Sequence, residues 1–297
     1  MSGRHRNLQS PISNLQPLIM AETPLTRLRT TSTIQADRVP KRRVGWLLVS
    51  SIPMLVFLLV PLAALILRIT PAQLLANLAN PEVAQAIGLS VITTAITVVL
   101  TVLLGTPVAY LLARRRFRGR TALDTLIDLP MVLPPSVAGI ALLVAFGRRG
   151  LLGHYLSVVG IELAFTQTAV VLAQLFVAAP FYIKAAVAGF AGVDRELEQA
   201  ASLDGAGPFA VVRYVTVPLA WASLFGGAVM TWARALGEFG ATIIFAGNFI
   251  GRTQTMPLAI YQGFEQELGV ALTLSVILLV VSFVVLFVVK GILRQQL

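Results

Sequence analysis

The sequence predicts an all-α integral membrane protein with six transmembrane helices, on three observations. Hydrophobic residues fill 57% of the 297 positions and charged residues only 12%, about half the charge of an ordinary soluble domain. Six apolar stretches, at 46–67, 83–113, 123–146, 168–190, 217–246 and 268–293, each exceed the roughly 20 residues that a helix needs to cross a bilayer. Lys and Arg fall on alternate connections between these stretches.

The stretches are long and continuously apolar, whereas barrel strands alternate over about ten residues, so each is read as a helix. Cysteine is absent and the only histidines are His5 and His154. Disulfides, thiolate zinc sites and a histidine-built metal centre are thereby excluded. The net charge of +10 points to membrane topology rather than to nucleic acid, because of where the charges lie.

Residues 1–45 are polar, without apolar period, and end in Lys41, Arg42 and Arg43. They are expected to form a disordered basic cytoplasmic tail, followed by a transmembrane domain over 46–297. The tail lacks the early apolar core and small-residue cleavage site of a signal peptide, so the first span is expected to stay attached.

Orientation follows from counting cations. Eight lie in the tail, five more are Arg114, Arg115, Arg116, Arg118 and Arg120, and Lys184, Arg195, Arg213, Lys290 and Arg294 lie near later helix ends on the same side. The other side holds Arg68, Arg148, Arg149 and Arg252. This bias predicts cytoplasmic amino and carboxyl termini in a multi-pass inner-membrane protein.

The connection at about 191–217 is the most informative stretch. Asp194 suits a helix N-cap, and Leu197, Ala200 and Ala201 share one face of the helix that follows. Gly205 suits the left-handed residue that ends it. Pro208 suits the first turn of a second short helix, and Pro218 the first turn of the next span. Together they predict a helix-turn-helix knob with small side chains, projecting from the membrane.

This loop resembles the EAA motif of ABC-importer permeases, in which Glu-Ala-Ala, three residues and Gly precede Ile-x-Leu-Pro. Gln199-Ala200-Ala201 and Gly205 stand at the family spacing, and Val215-Thr216-Val217-Pro218 closes the motif. The motif glutamate is Gln199 here, with Glu198 beside it, and valines replace isoleucine and leucine. The resemblance implies the type I ABC importer permease fold, with the knob as a coupling helix docked in an ATPase subunit. Glu198, Gln199, Ala200, Ala201, Gly205 and Pro218 are the coupling residues it implies. ATP and magnesium are expected in that partner, since this sequence has no Gly-x-x-x-x-Gly-Lys-Ser/Thr loop to cradle phosphates.

Two further stretches are similar to molybdate permeases. One runs Leu129-Pro-Met-Val-Leu-Pro-Pro-Ser-Val-Ala-Gly139, followed by Phe146-Gly-Arg-Arg-Gly-Leu-Leu-Gly153. The other runs Leu236-Gly-Glu-Phe-Gly-Ala-Thr-Ile-Ile-Phe-Ala-Gly-Asn248 and continues through Gly251 to Tyr261. Sulfate and thiosulfate permeases share much of this pattern. The resemblance implies a homodimer, two ABC ATPase subunits, an extracytoplasmic molybdate-binding protein and alternating access for molybdate or tungstate.

Arg234 and Glu238 form the one charged pair well inside an apolar stretch, at i, i+4. Ionisable groups there face a partner or a wet cavity, so the pair is read either as a structural salt bridge or as pathway lining. Pro134 and Pro135 interrupt the third span and Pro180 the fourth, either for packing or beside the pathway. Asp124 and Asp128 lie one turn apart near the inner start of the third span, where the helix dipole favours acids; a proton relay is the alternative.

Two rival classes fare worse. An ion-coupled secondary transporter often shows internal repeats, and none is evident. An intramembrane enzyme lacks Gly-x-Ser-x-Gly, His-Glu-x-x-His or a cysteine-histidine set.

Overall fold

The computed structural model describes residues 41–294, with side chains over 49–291. The predicted tail lies outside the described residues except for 41–45, which open helix α1 (Lys41–Leu67). The chain divides into two units, residues 1–59 and 60–297, with the division inside α1. The stretch Val49–Leu67 of α1 is long and apolar enough to cross a membrane.

All regular structure among the described residues is helical. In the second unit α2 (Pro71–Leu78) begins with a capping box: the Thr70 hydroxyl accepts from the Gln73 amide, and the Gln73 side chain accepts from the Thr70 amide. Asn80 then caps α3 (Pro81–Arg114), with Pro81 in its first turn. At 34 residues α3 is about 51 Å long, so it outruns a hydrocarbon core of roughly 30 Å.

The third apolar stretch is two helices, α4 (Arg120–Val132) and α5 (Pro135–Phe146), bent by 115° at Leu133 and Pro134. Neither Pro134 nor Pro135 has an N–H, so the carbonyls of Pro130 and Met131 lose their helical donors and the chain turns. Among the described residues five helices are long and apolar enough to span, and this bent pair makes the sixth when counted as one. After the short α6 (Gly153–Val158), Thr166 caps α7 (Gln167–Gly192), which keeps Pro180 inside it without a break.

The predicted fifth span, 217–246, is also interrupted. Helix α10 (Val217–Leu236) stops, and α11 (Gly240–Phe245) starts after three residues. Helix α12 (Met256–Gln266), not anticipated from the hydropathy, is followed by α13 (Leu268–Arg294).

Helix α7 is the central post. Its buried residues Tyr182, Ile183 and Phe190 pack with Leu112 of α3 and Leu224 of α10. Its other end, at Val170 and Val177, packs with Leu142 of α5 and Phe245 of α11. A third cluster joins Val83, Leu236, Met256 and Leu274. Between α3 and α7 the contact is polar: Thr97 donates to Gln174 Oε1 at 3.1 Å, and Thr106 lies 2.6 Å from the Tyr182 hydroxyl. Such bonds hold helices together where lipid removes the hydrophobic drive between them.

The acids of α4 have a partner that the sequence spacing did not reveal. Lys184 of α7 donates to Asp124 at 2.7 Å and to Asp128 at 2.8 Å. The two carboxylates thus clamp α4 to α7, in place of a helix-dipole role alone. Replacing Lys184 by Met leaves both acids unpaired. Its unfolding midpoint in detergent is expected to fall by roughly 2–4 °C, the shift that about 1 kcal/mol produces at this chain size. Adding Asp124→Asn and Asp128→Asn should recover most of the loss; no recovery would sink the clamp.

Candidate functional site

The predicted knob is present. Asp194 accepts from the Glu196 amide and caps α8 (Arg195–Leu203). Gly205 takes φ +90° and ends it; a Cβ there meets nothing within 4 Å, so backbone conformation alone favours glycine. Pro208 opens α9 (Pro208–Val211), as expected. The chain then passes through a π-helical turn, Val212–Thr216, into α10. Val217 donates to the Val212 carbonyl five residues back, and the wider turn eases the entry of Pro218, which has no N–H to offer Tyr214.

The helix α8 has two faces. Gln199, Ala200 and Leu203 are exposed, the last at 88%. Glu198 and Ala201 turn inward and are partly buried. The Glu198 carboxylate receives Arg114 Nη2 at 2.8 Å and the Thr216 hydroxyl at 2.7 Å, both on Oε1. Arg114 Nη2 also donates to the Val193 carbonyl at 3.0 Å. Beside this junction a cleft of about 760 Å³ lies between the end of α3 and the knob, lined by Arg114, Arg115, Arg195 and Gln199.

The second candidate region is the break between α10 and α11. Arg234 Nη1 lies 2.7 Å from Glu238 Oε2, with side-chain exposures of 28% and 1%. The other Glu238 oxygen accepts from the Ala241 amide at 2.8 Å. Glu238 therefore satisfies the orphan amide at the start of α11 and neutralises Arg234 at once. Both of its oxygens are occupied, whereas Arg234 stays partly open.

The same break meets the bend of α4 and α5. A Cβ on Gly240 falls 2.8 Å from Pro135 Cβ, and one on Gly139 falls 2.9 Å from the Ala241 carbonyl oxygen. Helices α5 and α11 thus touch backbone to backbone, and Pro135, Arg234 and Glu238 belong to one structural neighbourhood. The coupling candidates Glu198 to Pro218 form a second neighbourhood, in the connection between α7 and α10.

Some site residues escaped the sequence reading. Arg114 was counted there only as a topology signal, yet its side chain is 8% exposed and holds the knob. Thr216 was read only as part of the motif's closing run. A network of amides, with Asn248 and Gln254 both donating to Gln262 Oε1 at 2.9 and 2.7 Å, sits at the start of α12. None of these carries a regular helical spacing signal: Arg114 pairs with Glu198 84 positions away, and the others pair across turns and loops.

A family model described as binding-protein-dependent transport system inner membrane component matches residues 103–295. ModB, the molybdenum transport system permease protein of Mycobacterium tuberculosis, is 46% identical over 242 residues, or 81% of this chain and 91% of its own. The probable transport system permease protein NifC of Clostridium pasteurianum is 36% identical over 243 residues, or 81% and 85%. Among solved structures, a bacterial ABC transporter involved in alginate import aligns with a TM-score of 0.66 at 16% identity, over 85% of this chain and 94% of that one. An inward-facing form of the MetNI methionine ABC transporter aligns at 0.54 and 19% identity, over 72% and 95%. At these identities the structures speak to the fold, which is that of type I ABC importer permeases. This chain therefore belongs to the family of binding-protein-dependent transport system inner membrane components.

Proposed function

We propose that the chain is the membrane-spanning subunit of an ATP-driven importer of molybdate or tungstate. The observation that carries this reading is the 46% identity to ModB across 91% of that protein. A homodimer with two ATPase subunits and an extracytoplasmic molybdate-binding protein completes the transporter. The periplasmic protein seen with the alginate transporter, which this chain resembles in fold, supports a partner of that kind. Both termini face the cytoplasm, as the cation bias argues.

The knob is the handle. Its outer face carries Gln199, Ala200 and Leu203, and near it Phe209 and Tyr214 are 79% and 72% exposed. A cluster of exposed large apolar groups on and beside the knob fits a protein partner, here the ATPase. Ala200 and Ala201 permit close approach, Gly205 shapes the turn, and Pro218 starts the span that the handle moves. ATP binding and hydrolysis in the partner swing this handle; no covalent chemistry occurs in the present chain.

The α5–α11 contact, with Pro134, Pro135, Arg234 and Glu238, is the gate. Arg234 keeps donors free to meet a tetrahedral dianion, while Glu238 holds the end of α11 in place. A single shared arginine binds weakly, as a conduit fed by a capture protein requires.

Three outcomes test this. Reconstituted with its ATPase and binding protein, the chain should import labelled molybdate only with ATP, and tungstate should compete better than sulfate; preferential competition by sulfate would transfer the assignment to that anion. Gly205→Val should insert normally but lower anion import per ATP by roughly tenfold, the scale of a left-handed penalty of 1–2 kcal/mol; unchanged import would remove the knob from the mechanism. Arg234→Ala should cut import by roughly tenfold, and Arg234→Ala with Glu238→Gln should not recover it. Recovery in the double variant would make the pair a structural bridge only.

A further inference from the structure

We infer that Arg114, Glu198 and Thr216 form a rigid junction that makes the knob move as one body with three spans. They are positioning residues for transport rather than contacts to the motor or the anion. The inference rests on the reading of the chain as an ATP-driven permease.

The geometry carries it. Arg114 is the last residue of α3, Val193 follows α7, Glu198 is on α8, and Thr216 is in the π-turn that leads into α10. Hydrogen bonds of 2.7–3.0 Å connect all four through one guanidinium and one carboxylate oxygen. The side chains of Arg114 and Glu198 are 8% and 15% exposed, and Thr216 is fully buried.

Backbone connection alone does not give this rigidity. The knob is attached to α7 through Val193 and Asp194, and to α10 through a turn at Gly205 and a π-helical turn. Both attachments are places where a lever can flex. Helix α3 reaches the knob along the backbone only through α4 to α7. The junction bridges both soft points and adds α3 to the moving body. A charge-assisted pair withdrawn from water resists shear, because separating it leaves both charges desolvated and unpaired.

The same arrangement divides the two neighbouring polar residues of α8. Gln199, at the position where the motif carries its glutamate, faces outward and is exposed. Glu198 faces inward, and its Oε1 is held by two donors of its own chain, Arg114 and Thr216.

The test replaces both charges, since either alone leaves a buried ion without its partner. The complete reconstituted transporter is prepared with Arg114→Met and Glu198→Met together, and separately with Thr216→Val, which keeps shape and removes one bond. Anion imported per ATP hydrolysed is the readout, because a merely structural role would change yield and thermal stability but not this ratio. The double variant should lose roughly tenfold in the ratio and Thr216→Val roughly threefold, the range seen for residues along coupled networks. A ratio within twofold of the parent in the double variant overturns the inference. Should the double variant fail to insert, an unchanged ratio in Thr216→Val overturns it instead. If the parent transporter itself imports without ATP, the proposed function falls, and that failure is separate from the behaviour of the junction.

Discussion

A helix broken inside hydrocarbon leaves backbone donors and acceptors that no water can satisfy, and each one must find a partner within the protein. The chain breaks its apolar segments twice, at Leu133–Pro134 and at Gly237–Phe239. At the first, prolines remove the donors themselves. At the second, Glu238 reaches forward to the Ala241 amide while its other oxygen holds Arg234. The most buried charge among the described residues is thus explained by the backbone amide left without a partner at this break. Both breaks are then pressed together through Gly139, Gly240 and Pro135, where any side chain larger than hydrogen forces backbone apart.

Charged groups elsewhere in the spans follow the same rule. Lys184 is shared between Asp124 and Asp128 across α4 and α7, and Arg114 is shared between Glu198 and the Val193 carbonyl. Lys184 ties α7 to α4 through two acids of α4, and Arg114 ties α3 to α8 and to the end of α7, so each cation joins helices. Hydroxyls and amides fill the same need at lower cost: Thr97 with Gln174, Thr106 with Tyr182, and Asn77 with Thr273 at 2.8 Å. Close packing through small residues, together with these ties, replaces the hydrophobic collapse that lipid cannot supply.

The two neighbourhoods of the molecule have different mechanical characters. Around α5 and α11 the backbone contacts are tight and the helices short, which suits a contact that is either closed or open. Around α8 the outer surface is exposed, mixing Gln199 with Ala200 and Leu203, while the inner surface is held by the Arg114–Glu198 pair. A permease needs both: a surface that another protein grips, and a stiff route from that grip to the break in the fifth span. Helix α10 is the direct route, running from Thr216 at the junction to Arg234 beside that break.

Much of this was legible in the sequence, for physical reasons. Hydropathy located the spans because crossing a bilayer demands long apolar runs, and local chemistry located the knob because capping by Asp194, the turn at Gly205 and the starts at Pro208 and Pro218 depend on near neighbours. The proline-directed break of the third span was likewise local. Only the tertiary structure decided the break of the fifth span, which no proline marks, and the short helix α12. It alone also assigned partners to Asp124, Asp128, Arg114 and Glu198, since those bonds join residues 56–84 positions apart. Local forces are written in neighbouring letters; the pairing of charges across helices depends on which faces meet, and that is settled only when the whole bundle packs.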